Sequence, residues 1–400
     1  MRSGKFSWLL VFCLAVGIGN SGLAQEFDSD RWLVYEVGPA VILPNLGVSS
    51  LYDTDVLLGT TPSEQSDFII ATRPELKMQL GAEDMDYLTV QYAPNYLKYF
   101  DTDFLTRIDH YFGLNLNIER PKTTITGAST GSKLGGFIGQ FQNFATAPTD
   151  RIIHRHNYRI LQNISGKTSG SLAFSYAVQD YEEGSPLLDI NDWRVTTGAV
   201  YDYTEKMDLL AEVFYGQSTA DSNLPGGNAG PPASRIGFFL GSEAEFTPKL
   251  TGDVRLGFQD ISFDNSTVTD SVISIQSSLQ YQLSAMSQIG LTLNRGAQQN
   301  IQQIATIMQF TDIGLNYVRM LDVAGRWRFD SSARYRFTTF DGATFASRED
   351  NYFTIAAGIN YIAKDWFRAG LSYSYTDLST SFGGLDYGVH RVGLDFVIGY

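Results

Sequence analysis

The chain has 400 residues, a formal net charge of −14 and a single cysteine, with 26 phenylalanines, 22 tyrosines and 38 glycines. The acidic balance excludes a nucleic-acid binder, which needs a basic stripe, and one cysteine excludes a disulfide-stapled scaffold. Abundant aromatics and glycine without a long apolar run suit a transmembrane β-barrel better than a helical membrane protein.

Residues 1–24 read as a secretory signal peptide. Arg2 and Lys5 give a basic start, Phe6 to Ile18 is mostly apolar, and Gly22-Leu23-Ala24 offers small residues for cleavage. The apolar run is too short for a comfortable span of about 20 residues. Cys13 lies inside it and follows Phe12, which argues against a lipoprotein box. Cleavage removes two bases and no acid, so the mature chain carries −16 and no cysteine. Residues 25–31 form a short acidic tail, and residues 32–400 form one domain.

From residue 32 the chain is a series of segments in which apolar and polar residues alternate with period two. Clear segments are 68–80, 88–98, 111–119, 172–179, 193–203, 209–215, 236–246, 250–259, 273–283, 289–294, 323–337, 353–361, 367–375 and 389–400. Weaker ones are 32–42, 122–130, 151–164 and 306–318. That makes about eighteen strands, within the range of bacterial outer-membrane barrels and even as they require. Links alternate in length. Short ones such as Thr204-Glu205-Lys206 and Thr247-Pro248-Lys249 are interleaved with long polar ones at 131–150, 182–190, 218–234, 262–270, 296–305, 338–350 and 377–387. The expected fold is all-β: an antiparallel up-and-down barrel in the outer membrane of a Gram-negative bacterium, short turns facing the periplasm.

The last segment, His390 to Tyr400, sets Val392, Leu394, Phe396, Ile398 and Tyr400 on one face. It resembles the C-terminal assembly signal of outer-membrane proteins, with Arg391, Gly393, Phe396, Ile398 and Tyr400 at the matching positions. That resemblance implies the barrel-assembly machinery as a partner. The first mature segment carries a second resemblance. Gly38-Pro39-Ala40-Val41-Ile42-Leu43-Pro44 is followed by Tyr52-Asp53-Thr54-Asp55-Val56, Ser66-Asp67-Phe68-Ile69, Pro74-Glu75-Leu76 and Tyr92-Ala93-Pro94. This series resembles the β-barrel porins often found with exopolysaccharide-export genes. The resemblance implies an outer-membrane barrel with no known catalytic residues, and a part in exopolysaccharide export.

The polar faces carry the functional signal. In 323–337, Val323, Gly325, Trp327, Phe329, Ala333, Tyr335 and Phe337 share one side; Arg326, Arg328, Asp330, Ser332, Arg334 and Arg336 share the other. A lipid-facing arginine costs about 2–4 kcal/mol at the midplane, so the arginines belong to the lumen. Arg73, Arg155, Arg159, Arg194, Arg255 and Arg368 fall on polar faces by the same count, as do Glu75, Asp192, Glu212, Glu243, Glu245, Asp253 and Asp395. Facing rows of guanidinium and carboxylate at a constriction orient ions and sugar hydroxyls; alternatively they pair across the lumen and fill it. The long links are acidic, with Asp53, Asp55, Asp101, Asp103 and Asp350 among them. They read as solvated loop charge, or as a place for divalent cations beside lipopolysaccharide.

Other motifs are weaker. His154 and His156 share a face without a third metal ligand at a suggestive spacing. Gly127-Ala128-Ser129-Thr130-Gly131 matches the nucleophile-elbow pattern, but runs from a strand towards a long link rather than into a helix. Gly166-Lys167-Thr168 reads as a turn. A membrane-embedded lipid-modifying enzyme requires a Ser–His pair at one depth on the lipid-facing side, and the sequence pairs no serine with His156 or His390. The expectation is therefore a passive channel for hydrophilic solutes or glycans, not an enzyme and without a cofactor. Its rivals are a non-conducting scaffold barrel, a lipid-modifying enzyme and an exported soluble β-sandwich.

Overall fold

The computed structural model describes residues 34–58, 65–81, 86–136, 148–224, 229–264, 269–300, 306–342, 348–381 and 386–399. The proposed signal peptide, the acidic tail and Tyr400 lie outside the described residues, as does most of the 131–150 link.

A short strand β1, Tyr35–Val37, folds back on the start of β2, Ala40–Asp53. Gly38 makes this turn at φ +61, a conformation that suits glycine. There follow β3 Asp67–Gly81, β4 Tyr87–Tyr99, β5 Arg107–Glu119, β6 Thr123–Leu134, β7 Arg151–Asn163 and β8 Thr168–Tyr181. Next come β9 Leu188–Thr204, β10 Met207–Ser222, β11 Ala233–Thr247, β12 Leu250–Phe263, β13 Thr269–Ser284 and β14 Ser287–Gln299. The last are β15 Thr306–Met320, β16 Trp327–Gly342, β17 Arg348–Lys364, β18 Phe367–Thr380 and β19 Tyr387–Gly399.

Each strand from β2 to β19 pairs antiparallel with its neighbour, and β19 pairs with β2 from Arg391↔Asp53 to Gly399↔Asn45. The sheet is thus a closed barrel of 18 strands. Closure answers a severe constraint. Each backbone group left unpaired in hydrocarbon costs several kcal/mol, so an open β19–β2 seam is not viable in lipid. At the upper end of the seam Arg391 Nε donates to Asp53 Oδ2 at 2.7 Å.

The outer face is apolar. Val213, Ile236, Leu240, Leu256 and Leu371 are each more than half exposed. Most charged residues stand on the inner face; outward ones such as Lys133, Arg295 and Arg319 lie towards the strand ends. Such an arrangement is stable only with lipid outside and water or paired charge inside.

Three sequence expectations need correction. The first strand of the barrel wall is Ala40–Asp53 rather than 32–42, within which only the short β1, Tyr35–Val37, precedes it. The strand expected over 323–337 starts at Trp327, because 321–326 is a turn. In that turn Asp322 Oδ1 accepts the Trp327 N–H at 2.8 Å and Gly325 sits at φ +67. Arg326 therefore lies in the turn, not in the wall, and Val323 is 96% exposed. Strands also run further into the long links than alternation suggests: β10 reaches Ser222 and β16 reaches Gly342. At 12–17 residues they exceed the about 9–11 that a tilted strand needs to span the bilayer. Beyond the lipid the outer face no longer has to be apolar, so the pattern fades while the ladder continues.

Replacing Arg391 with Met keeps bulk but leaves the Asp53 carboxylate, almost fully buried, without its cation. This should cost about 1–3 kcal/mol, seen as a lower urea midpoint for loss of the heat-modifiable folded band. An unchanged midpoint would show that the pair does not hold the seam.

Candidate solute passage

The inner wall carries a network of charge pairs, some between strands and some between residues two apart on one strand. Arg334 and Arg336 of β16 both donate to Asp312 of β15, each Nε at 2.8 Å. Arg328 Nε donates to Asp330 at 2.7 Å. Across β7, β10 and β12, Glu212 takes Arg255 at 3.1 Å and Arg159 at 4.0 Å. Arg235 pairs with Asp192, Arg73 lies 3.7 Å from Glu75, and Arg348 pairs with Asp350 at 2.6 Å. Buried charges are tolerated in such pairs and are costly without them.

Arg194 is held differently. Its guanidinium lies 3.8 Å from the centroid of Phe214 and 5.9 Å from that of Phe239. Its Nε donates to Thr196 Oγ1 at 3.3 Å. The Phe214 and Phe239 rings stack at 5.7 Å with an interplanar angle of 24°. Arg194, Phe214 and Phe239 stand on the inner faces of β9, β10 and β11. Each leans across a glycine on the next strand. A Cβ at Gly237 would meet the Phe214 ring at 2.6 Å, and one at Gly257 would meet the Phe239 ring at 2.6 Å. The rings therefore lie flat along the wall, and the guanidinium rests on them as a cation on a π face.

Above this stack the long-link end of the bore is narrowed by segments that fold inward. The β13–β14 ladder ends at Ile275↔Arg295, while β14 and β15 remain paired to Gln299↔Ile307. The freed hairpin end crosses the inner faces of β13, β12 and β10. Gln259 Nε2 donates to the Ala297 carbonyl at 2.7 Å, and the Ser218 hydroxyl donates to Gln299 Oε1. Gln309 donates to Asp270. Ala297 and Ile307 join Ala233, Ile261, Phe263 and Val272 in one buried apolar cluster. A second inward segment follows β2: Val56 packs with Ile69, Tyr99 and Leu105, and Leu58 packs against Tyr352, Leu378, Tyr387 and Val389. Asp67 ties down the β4–β5 link by accepting the N–H groups of Phe100 and Asp101 at 3.0 Å and of Thr102 at 2.8 Å.

The sequence-derived positions fall as follows. Arg73, Glu75, Arg194, Arg255, Arg328, Asp330, Arg334, Arg336 and Arg368 stand on the inner face of their strands; Arg326 does not, being in the turn. The row of four arginines is thus three, sharing Asp330 and Asp312. Of the assembly-signal positions, Arg391 and Gly393 point inward, while Phe396 and Ile398 are exposed outside. Asp53, Asp55 and Asp350, expected as solvated loop charge, are buried. Nothing in the residue pattern marks the inward hairpin: it is an uncharged, glutamine-rich run that reads as any exposed link.

On the outer face, all four histidines point away from the bore. His110 Nδ1 lies 2.9 Å from the Tyr92 hydroxyl and His390 Nδ1 lies 3.0 Å from the Tyr373 hydroxyl. The expectation that no serine pairs with His156 is wrong: Ser129 Oγ is 2.9 Å from His156 Nδ1. Gly127 to Gly131 lie wholly within β6.

Residues 241–400 match the model of the family described as "Putative beta-barrel porin 2". No curated protein matches the chain at a significant level. Among solved structures, the outer membrane protein OpdK of Pseudomonas aeruginosa is similar with a TM-score of 0.47 and 9% identity, over 90% of this chain and 99% of that one. OccAB3 of Acinetobacter baumannii gives 0.46 and 11%, over 90% and 99%. OpdQ of Pseudomonas aeruginosa gives 0.46 and 12%, over 90% and 98%. Residues 241–400, two-fifths of the chain, thus match the model of a β-barrel porin family, and the described strands of the whole chain close into a barrel with charged residues inside.

Proposed function

We propose that the barrel passes small hydrophilic solutes passively, short turns towards the periplasm, and that Arg194 sets a preference for anions. The observation that carries this is the contrast inside the bore. Arg73, Arg159, Arg235, Arg255, Arg328, Arg334, Arg336 and Arg348 sit against carboxylates, whereas Arg194 rests on two aromatic rings. A cation on a π platform keeps its donors available to a passing carboxylate, phosphate or halide. The row on β16 contributes less, because two carboxylates offset three arginines. Polysaccharide passage is not part of this proposal: the inward segments narrow the mouth. Those same segments favour the second reading, a non-conducting scaffold barrel.

Planar-bilayer recording separates the two. The wild-type protein should conduct, and Arg194→Gln should lower the anion-to-cation permeability ratio by about two- to five-fold. That scale follows from roughly 1 kcal/mol for a unit charge at 4 Å in water. The charge-neutral double variant Arg328→Gln/Asp330→Asn should leave the reversal potential unchanged. An unmoved reversal potential in Arg194→Gln would assign Arg194 to structure, and a silent wild type would favour the scaffold.

The hairpin makes a separate prediction. Ser218→Ala with Gln259→Ala removes two of its tethers, each worth about 0.5–1.5 kcal/mol. Proteolysis within 296–309 should accelerate on the order of 10-fold, with noisier open-channel current. Unchanged cleavage would mean that the apolar cluster alone fixes the hairpin.

A further inference from the structure

Outside the bore, near its long-link end, three neighbouring strands set basic side chains together that solute passage does not use. The register places His110 of β5 opposite Lys133 of β6, and Gly131 of β6 opposite His154 of β7. All four are on the outer face, in line with the exposed Phe112 and Tyr158. Directly opposed residues hold their Cβ atoms about 4.5–5.5 Å apart, and diagonal ones about 7–8 Å. Lys133 is thus opposed to His110 and diagonal to His154. Gly131 is the floor of the group: a Cβ there would meet His154 Nδ1 at 3.0 Å. The His154 ring therefore lies over Gly131, on the strand that carries Lys133. The Tyr92 hydroxyl is 2.9 Å from His110 Nδ1. When that hydroxyl donates, His110 carries its ring proton on Nε2 and can donate it in turn.

The protein does not neutralise this charge. Among the described residues no ion pair joins Lys133, His110 or His154 to a carboxylate. Asp180, an outward acid on β8, stands opposite Ile152, and the Asp150 carboxylate is placed beside Gly135 and Arg107. Other outward bases at this end are engaged: Lys98 with Asp103, Arg295 Nη1 donating to Thr311 Oγ1 at 3.3 Å, and His390 Nδ1 at 3.0 Å from the Tyr373 hydroxyl.

Depth points to a lipid headgroup. Lys133 stands ten residues above the start of β6, and His110 and His154 stand nine residues from the short-turn ends of β5 and β7. At about 3.3 Å per residue and a tilt of about 40°, that is roughly 23–25 Å from the short-turn end, at the top of an apolar band about 25 Å tall. The lysine stem carries its ammonium further towards the headgroups. An ammonium and two ring N–H donors on three adjacent strands suit a phosphate, with its several acceptor oxygens and its charge of up to two. We propose that Lys133, His110 and His154 hold a phosphate of lipid A, the phosphorylated glycolipid anchor of lipopolysaccharide. The acyl chains then lie against the outward Phe112, Leu114 and Ile160 below. This rests on the orientation proposed above, long links outside, and not on conduction.

The test titrates the folded full barrel, in dodecyl maltoside micelles, with bis-phosphorylated lipid A and reads bound lipid by native mass spectrometry. Loss of the charge-assisted contacts in Lys133→Gln/His154→Gln should weaken binding about fivefold or more, with heat-modifiable gel mobility confirming the fold. Arg295→Gln, which removes an engaged outward base, should bind as the wild type does. Lipid A stripped of its phosphates should bind the wild type as weakly as the double variant binds the intact lipid. Equal binding by wild type and double variant, or of intact and stripped lipid, overturns the proposal. Displacement of lipid A by millimolar inorganic phosphate overturns the lipid source. In intact cells, Glu183→Cys in the β8–β9 link, combined with Cys13→Ser, should react with an impermeant maleimide. Reaction only after the outer membrane is permeabilised overturns the orientation and with it the outer-leaflet ligand.

Discussion

The structure depends on one constraint: in hydrocarbon every backbone N–H and C=O must be paired within the protein. A sheet meets that only by closing, and the β19–β2 seam is where this chain closes. The other features follow. Closure fixes which face looks at lipid, the two-residue period then fixes the side for every residue, and a charge on the wrong side costs about 2–4 kcal/mol at the midplane. The arginines therefore have one inexpensive place to go. Once inside and crowded, they are tolerable only beside carboxylates, which explains why Asp312 serves two of them and Glu212 two more.

Space inside the bore is the second constraint, and glycine manages it. Large inner side chains on β9 to β11 lean across onto glycines of the adjoining strands, so Phe214 and Phe239 lie along the wall instead of filling the lumen. Outside, Gly127 and Gly131 provide the same kind of seat for Tyr158 and His154. The Gly-x-Ser-x-Gly pattern of β6 thus has a geometric origin in a strand: alternate outward positions are small because rings from β7 cover them. The serine between them comes to face a histidine as a result.

The barrel was legible in the sequence because alternation is enforced wherever lipid touches the wall. Segments such as 68–80, 250–259 and 367–375 lie inside β3, β12 and β18 with boundaries close to the observed ones. Legibility failed where that enforcement ends. Past the lipid, β10 and β16 extend by ladder bonds alone, and Asp53 looks like loop charge although it is a buried partner of Arg391. It failed again at contacts between distant strands. Alternation says which side Ser129, Ser218 and Arg194 occupy. It cannot say that Ser129 meets His156, that Ser218 meets Gln299 across 81 residues, or that Arg194 has rings beneath it.

The most direct test of the account is a cysteine-accessibility scan along β10, in a chain whose single cysteine, Cys13, is replaced by serine. Single cysteines at 209–217 would be exposed, in folded protein in lipid, to a water-soluble maleimide. The account predicts labelling with period two: Glu212, Phe214 and Gly216 positions react from the aqueous bore, and Leu209, Val213 and Tyr215 positions do not. Uniform labelling, or reaction at the odd positions only, would contradict a lipid-facing wall around a polar passage.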